Sequence, residues 1–196
     1  MNYKVLDDRF YIADAVYVAR ALLGKILVHY SNEGITSGII VETEAYSSRN
    51  DPACHAFRGK TKRNAVMFGP AGRAYVYFIY GNHYCFNVVT NEPGIAEAVL
   101  IRALQPYEGL HLMKERRGSH HPVNNLTSGP GKLCAAMGIG KMENGLPLTE
   151  APLFIARGLS METEQICTSR RIGISQGTDK QWRFTIKDNP FVSRLR

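Results

Sequence analysis

Two glutamates and a tyrosine fall at alternate positions of one short segment and could carry out hydrolytic chemistry. Residues 38–46 (GIIVETEAY) contain the Ile, Val and Thr residues that favour a β-strand. Because side chains alternate between the faces of a strand, Glu42, Glu44 and Tyr46 are predicted on one face, with the carboxylates about 6–7 Å apart. The same alternation places Ile40 on that face.

This arrangement allows two interpretations. A carboxylate beside a C–N bond can activate water and stabilise a developing oxocarbenium ion, and a second carboxylate can shift the protonation of the first. The alternative is a pair of carboxylates that face solvent from an edge strand. The neighbouring tyrosine and the basic loop that follows favour the catalytic interpretation.

Two further residues could belong to such a site. Arg102 lies in the apolar segment 98–104, which predicts a strand covered on both faces, and a buried guanidinium needs an anionic partner. A structural salt bridge and a site role are both consistent with this position. His55, in a predicted loop, could stack on a nucleobase. No second His or Cys stands at ligand spacing from it, so no metal site is predicted.

A β-hairpin is predicted over residues 75–89. Two strand-like segments meet at Gly81-Asn82, a two-residue turn signal, which places Tyr80 at the exposed tip. A strict two-residue turn pairs Asn87 with Val76, away from Tyr77. For Asn87 and Tyr77 to line one pocket, a bulge or strong twist would have to intervene. Two other hairpin aromatics, Tyr75 and Tyr84, are predicted to pack in a core.

Basic residues without acidic neighbours surround the hairpin. Residues 52–91 contain no Asp or Glu, and the formal net charge of the chain is +7. Cations that contact phosphates, with aromatic rings between them, are typical of a nucleic-acid surface. The cations in this span are Arg58, Lys60, Lys62, Arg63 and Arg73.

A second candidate phosphate contact is the segment 128–133 (SGPGKL), which opens a predicted helix over 132–137. Gly131 and Lys132 could hold a phosphate at the helix N-terminus. The segment is not a Walker motif, because Leu126 and Leu133 stand where that motif needs Gly and Ser or Thr. A simple turn and helix cap is the alternative.

The remaining pattern predicts a single α+β domain over residues 1–196. Helices are predicted over 10–24 and 106–117, with a long loop over 47–72. Strands are predicted over 25–30, from 35 onward, and over 97–104, 172–174 and 182–186. Four scattered cysteines and no signal peptide or membrane span indicate an intracellular protein, either cytoplasmic or nuclear.

Taken together, these segments resemble the alkyladenine (3-methyladenine) DNA glycosylase family, the monofunctional base-excision type. The resemblance extends over nearly the whole chain, from residue 19 to residue 193. It is carried by the segments VETEAY (41–46), DPACH (51–55), RN and MF (63–64 and 67–68), YVYFIYG (75–81), VLIRAL (99–104) and LTSGPGKLC (126–134). Ser47, Ser48, Cys54 and Asn82 depart from the family's pattern.

The resemblance implies a role for each matching residue. Glu44 is the general base that deprotonates the attacking water, and Arg102 and the Ile172 carbonyl help to hold that water. The extruded base lies between Tyr46 and His55, and the pocket is completed by Tyr77, Asn87 and Leu100. Asn87 discourages guanine, and Tyr80 enters the duplex. Phosphates are contacted by Arg58, Lys60, Lys62, Arg63, Gly131 and Lys132.

The implied fold is one domain with a curved, mainly antiparallel sheet, surrounding helices and a protruding β-hairpin. The implied partner is damaged double-stranded DNA, bound without a metal or cofactor. We separately expect a monomer. The family's substrates are 3-methyladenine, 7-methylguanine, hypoxanthine and ethenoadenine, and no lyase activity is expected. The residues alone leave two alternatives, which are a non-catalytic nucleic-acid binding module and a glycosidase that acts on small substrates.

Overall fold

The fold is built on one antiparallel sheet. The computed structural model describes residues 3–193. Within these residues eight strands form the sheet: β1 (Ile26–Ser31), β2 (Gly34–Ser47), β3 (Ala74–Ile79), β4 (His83–Thr90), β5 (Glu97–Glu108), β6 (Leu153–Ala156), β7 (Ile166–Ser169) and β8 (Arg183–Ile186). The order is β3-β4-β5-β2-β1-β6, and β8 pairs with both β2 and β7. This curled sheet confirms the predicted α+β class.

Three α-helices accompany the sheet: α1 (Ala15–Ala21), α2 (Leu110–Arg117) and α3 (Pro130–Met137). Helix α1 packs on β2 and β5, and α3 packs on β4 and β5, with α2 against α3. The hydroxyl of Thr43 on β2 donates to the Ala19 carbonyl of α1 at 2.8 Å. Since successive side chains of a strand point to opposite faces, Glu42 and Glu44 face away from this helical layer.

Two predicted helices are shorter than the apolar spacing indicates. Asp14 begins α1 because its carboxylate accepts hydrogen bonds from the backbone N–H groups of Val16 and Tyr17, a typical N-cap. The preceding residues, Asp8–Tyr11, form a separate 3₁₀ helix. Before α2, the predicted helical residues 106–108 instead extend β5, where Pro106 pairs with Gly38. Sheet pairing outweighs local helix propensity there.

The hairpin turn lies one residue earlier than predicted. Tyr80 and Gly81 both have positive φ, 54° and 71°, and the Asn82 N–H donates to the Ile79 carbonyl. Ile79 pairs with His83, so the connection has three residues rather than two. The predicted pairing of Asn87 with Val76 is therefore wrong.

The corrected register changes which residues share a face of the hairpin. Asn87 pairs with Tyr75, and Tyr77 pairs with Cys85. Since Tyr75 and Tyr77 are two residues apart on β3, Asn87 and Tyr77 lie on one face. The three-residue turn therefore brings Asn87 and Tyr77 to one face without the bulge or strong twist that the sequence analysis required.

A bulge in β2 and an irregularity in β5 orient the charged residues. Ile40 pairs with Leu104 and Glu42 with Ala103, which leaves Val41 as an extra residue, and Arg102 is then skipped before Thr43 pairs with Ile101. Such irregularities change the direction of side chains. Ile40 consequently packs in the main hydrophobic core, so its predicted place beside the carboxylates is wrong.

The tail is less regular than predicted. Residues 172–174 are not a strand, although β8 confirms the strand predicted over 182–186. Over residues 3–193, no helix combines the length and the apolar character that crossing a membrane requires.

Candidate active site

Both glutamates of β2 are buried and share one arginine. Glu42 and Glu44 have no exposed surface, and Arg102 is only 7% exposed. Arg102 donates from Nε to Glu42 Oε1 at 3.0 Å and from Nη1 to Glu44 Oε2 at 3.3 Å. The structure therefore brings together the three charged residues that the sequence selected. It also excludes the alternative of two solvent-facing carboxylates.

Glu42 has a complete set of structural partners. Its Oε1 accepts from Arg183 Nε at 2.7 Å and from the Ser193 hydroxyl at 2.8 Å, in addition to Arg102. Its Oε2 accepts from the Ser193 N–H at 2.7 Å. A carboxylate held by this many donors ties β2, β5, β8 and the C-terminal segment together.

Glu42→Gln is expected to lower the free energy of unfolding by about 3–5 kcal/mol, because a neutral amide leaves Arg183 buried without its charge partner. Urea denaturation followed by circular dichroism measures this loss. The matched control is Glu33→Gln, which removes an exposed ion pair with Arg116 and is expected to cost about 1 kcal/mol or less. Equal effects of the two substitutions would contradict this structural role.

Glu44 is held by three donors from three parts of the chain. Its Oε1 accepts from the Ile172 N–H at 2.7 Å, and its Oε2 accepts from the Tyr46 hydroxyl at 2.8 Å and from Arg102. The sequence implied a contact from the Ile172 carbonyl to water, whereas the contact in the structure is its N–H to Glu44. These donors fix the orientation of the carboxylate. Glu44 does not itself line the cavity described next, but its partners Tyr46, Arg102 and Ile172 do.

A cavity of about 440 Å³ opens beside these groups. The volume is within the usual range for ligand sites. It brings together all of the predicted pocket residues, Tyr46, His55, Tyr77, Asn87, Leu100 and Ile172, together with Arg102 and Tyr80. Lining residues that the sequence did not single out for the pocket are Pro52, Ala53, Met67, Tyr75, Ile79, Cys85, Pro130 and residues 173–176.

Tyr46 links the cavity to Glu44. Burial, followed by the neighbouring Glu44 carboxylate, raises the pKa of Tyr46 well above its ordinary value. The phenol therefore keeps its proton at neutral pH and donates it to Glu44 in a hydrogen bond. One ring thus lines the cavity and orients the carboxylate behind it.

Three other rings form a cluster on the hairpin side of the cavity. His55 and Tyr77 have ring centroids 4.5 Å apart at a steep angle, and His55 Nδ1 lies 3.0 Å from the Tyr75 hydroxyl. Burial and the nearby Arg63 lower the pKa of His55, which favours the neutral imidazole. Burial raises the pKa of Tyr75 to about 12. Tyr75, which the sequence assigned to the core, is buried and also lines the cavity.

The pocket asparagine is fixed by its cross-strand partner. Asn87 is 4% exposed, and its Nδ2 donates to the Tyr75 carbonyl at 3.0 Å. Its pairing with Leu100 on β5 places both residues at the same level of the sheet. This hydrogen bond uses one of the two amide N–H groups and fixes the orientation of the side chain.

The hairpin tip projects from the cavity rim. Tyr80 is 81% exposed and has the left-handed backbone conformation that non-glycine residues seldom adopt. Arg63 braces the hairpin, since Nη2 donates to the Phe78 carbonyl at 3.0 Å and the guanidinium lies 5.5 Å from the Tyr77 ring centroid. Three other candidate phosphate ligands, Arg58, Lys60 and Lys62, are exposed.

The start of α3 meets the hairpin. A β-carbon on Gly131 would lie 2.9 Å from His83 Cγ, so glycine permits the close packing of α3 on β4. Lys132 donates to the Asn125 side chain, and Pro130 lines the cavity. The predicted phosphate segment therefore borders the cavity, and Gly131 also has a packing role.

Sequence reasoning missed a buried ion pair behind the site. Arg171 contacts Asp51 through two hydrogen bonds of 2.5 and 2.6 Å, and its guanidinium lies 4.5 Å from the Tyr46 ring centroid. The partners are 120 residues apart in the chain, so spacing carried no signal. Across residues 3–193, no group of three or more His, Cys, Asp and Glu side chains is arranged to hold a metal ion.

Comparison with known proteins agrees with this geometry. Residues 9–190 match the family model of methylpurine-DNA glycosylase. A relative from Carboxydothermus hydrogenoformans is 51% identical over 191 residues, covering 97% of this chain and 99% of the relative. One from Methanoculleus marisnigri is 52% identical over 192 residues, covering 96% and 98%. Both carry a provisional name as 3-methyladenine DNA glycosylases. The chain therefore belongs to the methylpurine-DNA glycosylase family.

Proposed function

We propose that this protein is a monofunctional DNA glycosylase of base excision repair that extrudes a damaged purine from duplex DNA and hydrolyses its N-glycosidic bond. The observation that carries the proposal is the buried Glu44 carboxylate, which is held directly behind a ring-lined cavity by three residues of the cavity wall, Tyr46, Arg102 and Ile172. Family membership supports the same reaction class.

In this proposal Glu44 accepts a proton from the attacking water. Arg102 and the backbone N–H of Ile172 fix the direction of the carboxylate. The carboxylate also stabilises the positive charge that develops on the sugar as the base departs. Tyr46 remains protonated and orients Glu44.

The cavity receives the extruded base. Tyr46, His55 and Tyr77 supply the aromatic surfaces against which a purine stacks. Leu100 contributes an apolar contact, and the fixed Asn87 side chain discourages guanine by a steric clash with its exocyclic amine. A base inside the stack is inaccessible, so extrusion costs a few kcal/mol.

Contacts with the DNA duplex offset that cost. Tyr80 enters the duplex and fills the space that the base leaves. The exposed cations Arg58, Lys60 and Lys62, together with Arg63, bind phosphates without reading sequence, and the Gly131–Lys132 segment contributes from the start of α3. Damaged double-stranded DNA is the proposed partner, and the protein is proposed to act as a monomer.

The proposed substrates are alkylated and deaminated purines: 3-methyladenine, 7-methylguanine, hypoxanthine and ethenoadenine. Alkylation gives a purine a positive charge, which makes it a better leaving group and strengthens its stacking on electron-rich rings. Neutral purines such as hypoxanthine need protonation or hydrogen bonding as they depart.

Incubation with a duplex that contains one hypoxanthine tests the function. We expect alkali-labile abasic sites at the lesion and none in an undamaged duplex. A non-catalytic binding module would retain the duplex without producing such sites from any lesion. A small-substrate glycosidase would hydrolyse free nucleosides without duplex DNA, and either outcome would overturn the proposal.

We also predict that the protein lacks lyase activity. Neither β2 nor the hairpin contains a lysine, and none of the cavity-lining residues is a lysine that could form a Schiff base with the sugar. Borohydride added during turnover is expected to trap no covalent protein–DNA adduct. A trapped adduct would contradict this prediction.

A further inference from the structure

The buried pair behind the site places a fixed positive charge against one wall of the cavity. The Arg171 and Asp51 side chains are both fully buried. Arg171 Nη1 donates to Asp51 Oδ2 at 2.5 Å and to the Ala45 carbonyl at 2.9 Å, and Nη2 donates to Asp51 Oδ1 at 2.6 Å. Its guanidinium carbon lies 4.5 Å from the Tyr46 centroid and 5.4 Å from the Trp182 centroid.

Arg171 approaches Tyr46 from outside the cavity. Tyr46 and Ile172 line the cavity, whereas Arg171 and Asp51 do not. Among the described residues, Arg171 Nε has no hydrogen-bond partner, although it is buried. The guanidinium thus packs against two aromatic rings although one of its donors is left without a partner, an arrangement that a salt bridge alone does not require.

A charge in this position acts on a base stacked on the other face of Tyr46. A purine in contact with that face at about 3.5–4 Å would lie about 8 Å from the guanidinium. Two charges at that separation interact measurably in a partly buried site. The positive charge of Arg171 would repel a cationic purine at that distance. The paired Asp51 carboxylate offsets most of this repulsion.

We propose that the Asp51–Arg171 pair determines how well the Tyr46 wall accepts cationic purines relative to neutral ones. The proposal rests on the function proposed above. With both charges present the pair is nearly neutral, so a cationic alkylated purine keeps its favourable stacking on Tyr46. Loss of one partner leaves a net charge behind the ring, and the sign of that charge selects the lesion.

The experiment compares two substrates in single-turnover assays, with enzyme in excess of DNA but below the concentration that saturates it. One is DNA methylated with dimethyl sulfate, from which the cationic 3-methyladenine and 7-methylguanine are quantified by chromatography. The other is a duplex with one neutral hypoxanthine. The measured quantity is the ratio of the cationic to the neutral release rates, because damage to the fold lowers both rates and leaves their ratio unchanged.

Asp51→Asn leaves the Arg171 charge uncompensated, so we expect the ratio to fall by roughly three- to tenfold. Arg171→Gln leaves the Asp51 charge uncompensated and is expected to raise the ratio. Arg171→Lys retains the positive charge but cannot reproduce the two-point contact with Asp51, so its ratio is expected to change less than that of Arg171→Gln.

The matched control is Glu97→Gln, which removes another buried carboxylate whose partners are Ala15, Ser47 and Asn91. Its ratio is expected to remain that of wild type. Equal effects of Asp51→Asn on both lesions, or wild-type release confined to hypoxanthine, would overturn the proposal. A wild-type protein that releases neither lesion would instead refute the proposed function, and this inference with it.

Discussion

Glu44→Gln is expected to reduce base release by about 10²–10⁴-fold, the usual contribution of a general base, while binding of damaged DNA persists. Glutamine has nearly the same shape and can still accept from Tyr46 or the Ile172 N–H, but it cannot take a proton from water. Abasic sites are measured under single-turnover conditions, and binding is measured by fluorescence anisotropy.

Glu33→Gln is the matched control for this substitution, since it removes an exposed glutamate outside the cavity. It is expected to retain wild-type release. Full activity of the Glu44→Gln variant would show that Glu44 is not the general base. Loss of both binding and thermal stability would show instead that the substitution damages the fold.

Tyr80→Ala is expected to lower release from duplex DNA by roughly 5- to 150-fold, which corresponds to about 1–3 kcal/mol for one aromatic stacking contact. The side chain is 81% exposed at the hairpin tip, so its removal costs little folding stability. Release from a single-stranded substrate should change much less, because no stacked space has to be filled there. Release rates from the two substrates measure the effect.

Tyr17→Ala provides the control, because Tyr17 is also exposed, at 63%, and lies on α1 outside the cavity. Its release rates should equal those of wild type on both substrates. A Tyr80→Ala variant with equal losses on duplex and single-stranded DNA would contradict the proposed insertion into the duplex.

Local alternation was sufficient to predict the central part of the site. Glu42, Glu44 and Tyr46 come together as alternation predicts, although the pairing of β2 with β5 shifts on both sides of Glu42. The buried Arg102 has the carboxylate partners that its apolar strand required. The α+β class followed from the number and order of strand-like segments, whereas the antiparallel sheet was implied by the family resemblance.

The wrong predictions arise where backbone geometry departs from regular pairing. The bulge at Val41 moves Ile40 into the core, and the positive φ of Tyr80 shifts the turn and the register of Asn87. Neither feature has a residue-type signal, since Val41 is an ordinary strand residue and tyrosine is uncommon at positive φ. Only the folded sheet determines them.

Long-range pairs were equally inaccessible. Arg171 reaches Asp51 across 120 residues, and Arg183 and Ser193 reach Glu42 from the C-terminal segment. Sequence spacing carries no information on such contacts, because they depend on how β8 and the tail pack on β2. The sequence therefore predicted the residues that line the cavity more completely than the buried ion pairs and hydrogen bonds that hold them in place.

The most direct test is a crystal structure of the Glu44→Gln variant bound to a duplex with one hypoxanthine. We predict that the purine is rotated out of the helix and lies in the cavity against Tyr46 and His55. Tyr80 should occupy the vacated space, and the side chain at position 44 should be within hydrogen-bond reach of a water that faces the glycosidic carbon. A hypoxanthine that remains stacked in the duplex, or a position 44 remote from the glycosidic bond, would contradict the account.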